Sequence, residues 1–260
     1  MKIESFELER IQSIYENSVD VNLTESGIEP MSLKELMSES ELEELVNIPM
    51  GYGYTQGSPE LREKISSLYK GFDYKNILVT SGSSEAIFLT ALLMLSEGDE
   101  LIMMSPNYLS INGIAKSIGA EVSFIALEED LGWSLDLDKL RNLVSKKTKL
   151  ISLCNPNNPT GSIMQTPDME EVVRIADSVG AYIHSDEIYI GSELSNSVTT
   201  SFQNLYKKTV VTSGLSKTFA NPGIRIGWLA TQEDLVEECW GIKDYTTVAS
   251  SILSQHIACK

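Results

Sequence analysis

The stretch KLISLCNPNNPTGSIMQTPDMEEVVRIADSVGAYIHSD, residues Lys149 to Asp186, decides the fold. Lys149–Leu153 is short, apolar and followed by a turn cluster, which predicts a strand. The run Asn155-Pro156-Asn157-Asn158-Pro159-Thr160-Gly161 follows. Its two X-Pro bonds restrict the loop and open it to a cis peptide. Pro167–Ser178 then reads as a helix and Ala181–Ser185 as a second buried strand. A strand, a helix and a strand in this order form a crossover unit, and crossovers join parallel strands.

The same alternation runs outward in both directions. Upstream, Asn76–Thr80, Glu100–Met104 and Glu121–Ala126 are strand-like, while Ser83–Leu95, Leu109–Ser117 and Asp136–Val144 have helical character. Downstream, Thr209–Ser213 and Arg225–Ala230 predict strands. Ser58-Pro59-Glu60-Leu61 opens a helix with Ser58 as N-cap and Pro59 in the first position. Before it, Glu4–Tyr15, Leu33–Ser38 and Glu41–Val46 read as helices, Val21–Thr24 as a short strand, and the Gly- and Tyr-rich Met50–Ser58 as a loop. The expected architecture is α/β, with a mostly parallel sheet between helical layers. Sheets of this kind bind ligands beyond the carboxyl ends of their strands.

Composition narrows the function classes. The 260 residues carry 37 Asp and Glu against 20 Lys and Arg, a net charge of −17. Such a surface repels phosphate backbones, so nucleic acid is not an expected partner. The three cysteines, Cys154, Cys239 and Cys259, match no zinc spacing and read as reduced thiols. No apolar run approaches the ~20 residues needed to span a bilayer, so no membrane partner is expected. The start, Met1-Lys2-Ile3-Glu4-Ser5, carries no basic-then-apolar leader. The expectation is a cytoplasmic protein.

Five segments after strands carry chemistry. Lys217, in Ser213-Gly214-Leu215-Ser216-Lys217-Thr218-Phe219, offers an amine for a Schiff base, although alone it reads as an ordinary surface lysine. Arg225, in Asn221-Pro222-Gly223-Ile224-Arg225-Ile226-Gly227-Trp228, can grip a phosphate with two parallel hydrogen bonds or sit in a rim ion pair. Gly82, Ser83 and Ser84 follow a strand at a helix start, which suits either anion binding or simple capping. Asp186, in Ser185-Asp186-Glu187-Ile188-Tyr189, can keep a pyridine nitrogen protonated or belong to an acidic loop. Asn158 stands in the rigid proline loop, where an amide can be presented to a phenolate oxygen.

Together, from about Leu23 to Trp228, these segments resemble the class I/II aminotransferases of pyridoxal 5′-phosphate (PLP) fold type I. The Asn-Pro-x-Asn-Pro-Thr-Gly run and the Ser-Lys…Gly-x-Arg-x-Gly run are the specific parts. The resemblance implies a three-layer α/β/α large domain with a seven-stranded, mostly parallel sheet over 46–260. It assigns 1–45 to an incomplete small domain. It also implies roles. Lys217 forms the internal aldimine and shuttles the proton, and Asp186 pairs with the pyridine nitrogen. Tyr189 and Asn158 bond the phenolate oxygen, and Tyr108 stacks on the ring. Gly82, Ser83, Ser84, Ser216 and Arg225 bind the phosphate. Tyr52 reaches the phosphate of a neighbouring subunit, and Gly27 and Asn158 lie beside the substrate. The implied partners are amino-acid and 2-oxo-acid substrates and a second copy of the chain, in a homodimer with shared sites.

Within the family, Thr24-Glu25-Ser26-Gly27 and Gly214-Leu215-Ser216-Lys217 resemble the capreomycidine-synthase-like branch. A carbon–sulfur lyase, a β/γ-replacement cyclase and a non-catalytic PLP-binding domain share the same motifs. Two departures stand out. Gly214 replaces the usual hydroxyl residue, leaving Ser213, or Ser216 and Arg225, to compensate. The chain ends at Ile257-Ala258-Cys259-Lys260, expected inside a helix, before the C-terminal small domain and its carboxylate-binding arginine that the resemblance implies, and a fragment is expected.

Overall fold

The strand-like segments become one sheet because their side chains are apolar on both faces. The computed structural model describes residues 2–194 and 198–260. Helices α1 (Glu7–Tyr15), α2 (Leu33–Leu36) and α3 (Glu39–Val46) precede α4 (Pro59–Ser66). Then come β1 (Ile77–Thr80), α5 (Ser83–Met94), β2 (Glu100–Ser105), α6 (Ser110–Ile118), β3 (Glu121–Glu128), β4 (Ser134–Leu135) and α7 (Leu137–Leu143). They are followed by β5 (Thr148–Cys154), α8 (Thr166–Val179), β6 (Tyr182–Asp186), β7 (Thr209–Gly214), β8 (Gly227–Ala230), α9 (Glu233–Lys243) and α10 (Ile252–Ala258).

The sheet has eight strands in the order β1-β8-β7-β6-β5-β2-β3-β4. The pairs from β7 through β6, β5 and β2 to β3 are parallel. Strand β8 runs antiparallel to both of its neighbours, β1 and β7, so β1 shares the direction of the parallel set. The expected count of seven is corrected by β4, a two-residue edge strand antiparallel to β3. Gly132, left-handed at φ 66°, turns the chain back so that Ser134 and Leu135 meet Glu128 and Leu127. The expected strand Val21–Thr24 does not form. Val21 and Leu23 are exposed and have no ladder to join. Ser38 does not close the expected Leu33–Ser38 helix; it caps the next one by accepting the Glu41 N–H. Arg225 lies outside β8 in a left-handed turn, and the last helix closes at Ala258.

Alternation along each strand builds the three layers. Leu101, Met103 and Leu150 face α5 and α6, while Ile102, Ile151 and Leu153 face α7 and α8. Leu78, Val210 and Leu229 lie under α5 and α9; Ile77, Val79 and Trp228 lie under α4. Each such fully buried side chain contributes roughly 1.5–3 kcal/mol. Met37 and Leu45 from the N-terminal helices form a small separate cluster with Ile257. Among the described residues no helix is long and apolar enough to cross a membrane.

The close approach of β8 to the start of α5 fixes the edge where the site lies. A Cβ at Gly227 would stand 2.3 Å from the Ser83 backbone nitrogen and 2.4 Å from the Gly82 carbonyl carbon. Backbone cannot give way as a side-chain tip can. Gly227→Ala therefore lowers stability by about 3 kcal/mol, seen as a lower urea midpoint at unchanged slope. An unchanged midpoint would mean that β8 does not rest on this turn.

Candidate active site

Five strand ends and one strand start converge on a single edge of the sheet. Gly82 follows β1, Tyr108 follows β2, Asn158 follows β5, Asp186 ends β6 and Lys217 follows β7. Arg225 precedes the antiparallel β8, so it arrives at the same edge from the opposite direction.

The α5 end of this edge is an anion cradle. Gly82 has φ 87°, and α5 has no side-chain cap on its first turn, leaving N–H groups directed outward. A Cβ on Gly82 would lie 2.4 Å from Arg225 Nη2, so a side chain there would displace the guanidinium, and the φ of +87° disfavours one as well. Arg225 itself is left-handed at φ 52°, and its Nη1 donates to the Pro222 carbonyl at 3.0 Å. Ser83 and Ser84 supply hydroxyls at the same turn, and Ser216 stands in the turn after β7.

The β5–β6 end presents a carboxyl and a hydroxyl–amide pair. Asp186 is 8% exposed, and its Oδ1 accepts only the Ile188 N–H, at 3.2 Å. Burial outweighs that bond and pushes its pKa up to about 6. The Tyr189 hydroxyl accepts from Asn158 Nδ2 at 3.0 Å and shares a hydrogen bond with Ser26 Oγ at 2.7 Å. Burial raises the Tyr189 phenol to about 12. Tyr108 donates to Glu9 Oε1 at 2.7 Å, and Phe6 meets its ring edge-on at 5.1 Å. Burial and the Glu9 contact raise the Tyr108 phenol.

Lys217 lies between these ends. Its Nζ donates to Glu25 Oε1 at 2.5 Å, and the same oxygen accepts the Gly27 N–H at 2.7 Å. Burial would raise the Glu25 carboxyl. The bond and charge of Lys217, with the N–H groups of Gly27 and Ser26, outweigh it and hold the carboxyl below its ordinary value. A Cβ on Gly27 would approach Lys217 Cδ at 3.6 Å, so this glycine borders the lysine.

Two expected residues stand elsewhere. Tyr52 is 81% exposed on its loop, and no hydrogen bond among the described residues joins its side chain to another site residue. Ser213 cannot replace the missing hydroxyl at 214, because it is buried and its Oγ donates to the Glu187 carbonyl at 3.3 Å. The structure also explains Gly214: a Cβ there would meet the Ile226 oxygen at 3.0 Å and Gly227 Cα at 3.1 Å. Sequence reasoning gave no role to Glu25, Ser26 or Glu9. No local signal marks them, since their partners lie 192, 163 and 99 residues away.

This donor set fits PLP group by group. The cradle suits a phosphate, Tyr189 with Asn158 a phenolate oxygen, buried Asp186 a protonated pyridine nitrogen, and Lys217 an aldehyde. The comparisons agree. The profile of the family Aminotransferase class I and II matches residues 30–259, and the chain belongs to that family. A PLP-dependent aminotransferase from Streptococcus suis superposes with a TM-score of 0.94 at 35% identity, over 100% of this chain and 70% of that one. Aspartate aminotransferase from Sulfolobus acidocaldarius is 30% identical over 72% of this chain and 49% of its own length. Histidinol-phosphate aminotransferase from Methanococcus maripaludis is 32% identical over 72% of this chain and 49% of its own length. The chain thus spans about half the length of these two relatives. The family and its solved members imply PLP as the cofactor.

The raised Asp186 makes the cofactor-free protein pH-sensitive. The folded chain keeps a proton that the unfolded chain releases near 3.8, so this group's effect is a loss of stability as pH rises from about 4 to about 6. Asp186→Asn removes that loss. Above pH 6 the variant should be more stable by on the order of 2–3 kcal/mol, and near pH 4 the two should agree. Urea midpoints measured at both pH values check this.

Proposed function

We propose that this chain is the cofactor-binding part of a PLP-dependent aminotransferase that moves an amino group between an amino acid and a 2-oxo acid, with Lys217 as the catalytic amine. The observation that carries the reading is the convergence of Lys217, Asp186, Tyr189 with Asn158, and Arg225 on Gly82 at one sheet edge.

When bound, PLP supplies an electron sink for charge left at the substrate Cα. The chain's own residues do the rest. Arg225, Ser83, Ser84, Ser216 and the free N–H groups beyond Gly82 bind the phosphate and set the ring's position. Asp186, which has no ion-pair partner among the described residues, would give its carboxylate to the ring nitrogen and hold a proton there. Tyr189 and Asn158, bonded to each other, would hold the phenolate oxygen, and Ser26 bonds the Tyr189 hydroxyl in turn. Tyr108 covers a ring face. Lys217 would hold the cofactor aldehyde through Nζ, and as a free amine it would carry the proton at the substrate Cα. Gly27 and Asn158 border the substrate. The exposure of Tyr52 suits contact with the phosphate of a second copy, in a cytoplasmic homodimer.

Reconstitution with PLP tests this. An absorbance band near the edge of the visible should appear and be bleached by borohydride, and mass spectrometry should find the adduct on the Lys217 peptide. Lys217→Ala should give no adduct. Arg225→Gln should weaken PLP binding by about 10- to 100-fold, the effect of losing one charge-assisted hydrogen bond. An adduct on another lysine would overturn the assignment. Formation of a 2-oxo acid from an amino acid would establish transfer.

A further inference from the structure

We propose that Lys243 is a positioning residue for the anion cradle: its buried amine locks the turn that clamps the start of α5, and so fixes the N–H groups that would meet the phosphate. The proposal rests on the phosphate reading of that cradle given above and adds a residue to it.

Lys243, the last residue of α9, is fully buried. Burial pushes its pKa down, against the charges of Glu85 and Asp244. Its Nζ donates not to a carboxylate but to two backbone carbonyls, Val248 at 2.8 Å and Thr55 at 3.1 Å. Taking an ammonium out of water without a paired carboxylate is costly. An apolar side chain would fill the same space without that cost, so packing alone does not explain the charge. The two carbonyls belong to different loops, the Tyr52 loop and the turn after α9. That turn is strained. Val248 is left-handed at φ 61°, a conformation that β-branched residues rarely adopt. Such a residue keeps it only where its surroundings over-determine it. Here Lys243 holds Val248 twice: Nζ donates to the Val248 carbonyl, and the Lys243 carbonyl accepts the Val248 N–H at 3.2 Å.

The turn delivers three hydroxyls to the cradle. Thr246 and Thr247 donate to Glu85 Oε1 at 2.5 and 2.7 Å, and Ser250 accepts from the Ser81 hydroxyl at 3.4 Å. Glu85 Oε2 accepts the Ser81 N–H at 2.7 Å. Ser81 directly precedes Gly82 and the first turn of α5. One chain of contacts therefore runs from the Lys243 amine through Thr246, Thr247 and Glu85 to the backbone beside Arg225. An anion site made of N–H groups depends on their direction, and a misplacement of about 1 Å can cost up to ~100-fold.

The test compares PLP with pyridoxal, which has the same ring and aldehyde and no phosphate. Each is titrated onto the full chain and followed by the absorbance of the cofactor band. Lys243→Met keeps the volume and removes the charge. It should weaken PLP binding about tenfold, the effect of misaimed hydrogen bonds to a charged group, and leave pyridoxal within about twofold. A general loosening of the fold would weaken both alike, so the ratio separates positioning from packing. Because a buried substitution can prevent folding, a second variant leaves Lys243 in place. Thr246 and Thr247 are exposed. Thr246→Val with Thr247→Val breaks the link to Glu85 and should lower the preference for PLP over pyridoxal about tenfold as well. Thr246→Ser with Thr247→Ser keeps the hydroxyls and should leave that preference unchanged. Equal losses of PLP and pyridoxal in folded Lys243→Met, or an unchanged preference in the double-Val variant, overturn the proposal. If the native chain binds PLP no more tightly than pyridoxal, the cradle takes no phosphate and both readings fail. A native preference that survives the two valines removes only this one.

Discussion

Two adjacent carboxyl groups are buried at the end of β6, and the protein solves them differently. Glu187 collects three donors on Oε1: the Ser185 and Ser201 hydroxyls and the Phe202 N–H. Its pKa still rises to about 7, because burial outweighs them. Among the described residues Asp186 has one backbone donor and no ion-pair partner. Burying a carboxyl this way costs stability unless a charged partner arrives. The arrangement makes sense as half of an interaction whose other half is a protonated ring nitrogen. The strain sits where binding can relieve it.

That cost is tolerable because the scaffold around it is over-determined. Strand β6 is central, paired on both sides, and its neighbours β5 and β7 place Cys154 and Thr212 opposite Asp186. One row of polar groups crosses the sheet beneath. His184 is held by Ser152 at 2.8 Å and Thr212 at 3.0 Å, and burial lowers its pKa to about 4, so it stays neutral. A neutral imidazole with both nitrogens partnered stiffens the strand without adding a charge beside Asp186. The glycines of β7 and β8 complete the edge. Gly214 pairs with Gly227, and Gly227 in turn admits the start of α5, so Arg225 and the helix terminus share one anion site.

Much of this was legible in the sequence because it is local. Alternating strands and helices leave periodic apolar runs, and the residues after each strand are the ones that open sheets use for ligands. Ser58 and Pro59 opened α4 as their chemistry requires. The failures share a cause. Val21–Thr24 has strand composition, yet a strand needs a ladder, and none is near. Strand β4 is too short for a periodic signal and depends on a glycine turn. Ser213 looked like a substitute phosphate ligand, but alternation along β7 sends it inward to the Glu187 carbonyl. Glu25 gave no sign because its partner is 192 residues away, a distance that only the folded chain closes.

The segment from Glu25 to Gly27 thereby does something the sheet edge cannot do for itself. The strand ends supply groups that suit the ring and phosphate of one cofactor, and that set would serve many amino acids equally. The N-terminal segment crosses this edge with Glu25 on Lys217 and Ser26 on Tyr189. It lies outside the sheet on an exposed stretch of chain, where substitutions usually cost little stability. The residues suited to a cofactor therefore sit on the sheet edge, while Glu25 and Ser26 reach them from a strip outside the sheet.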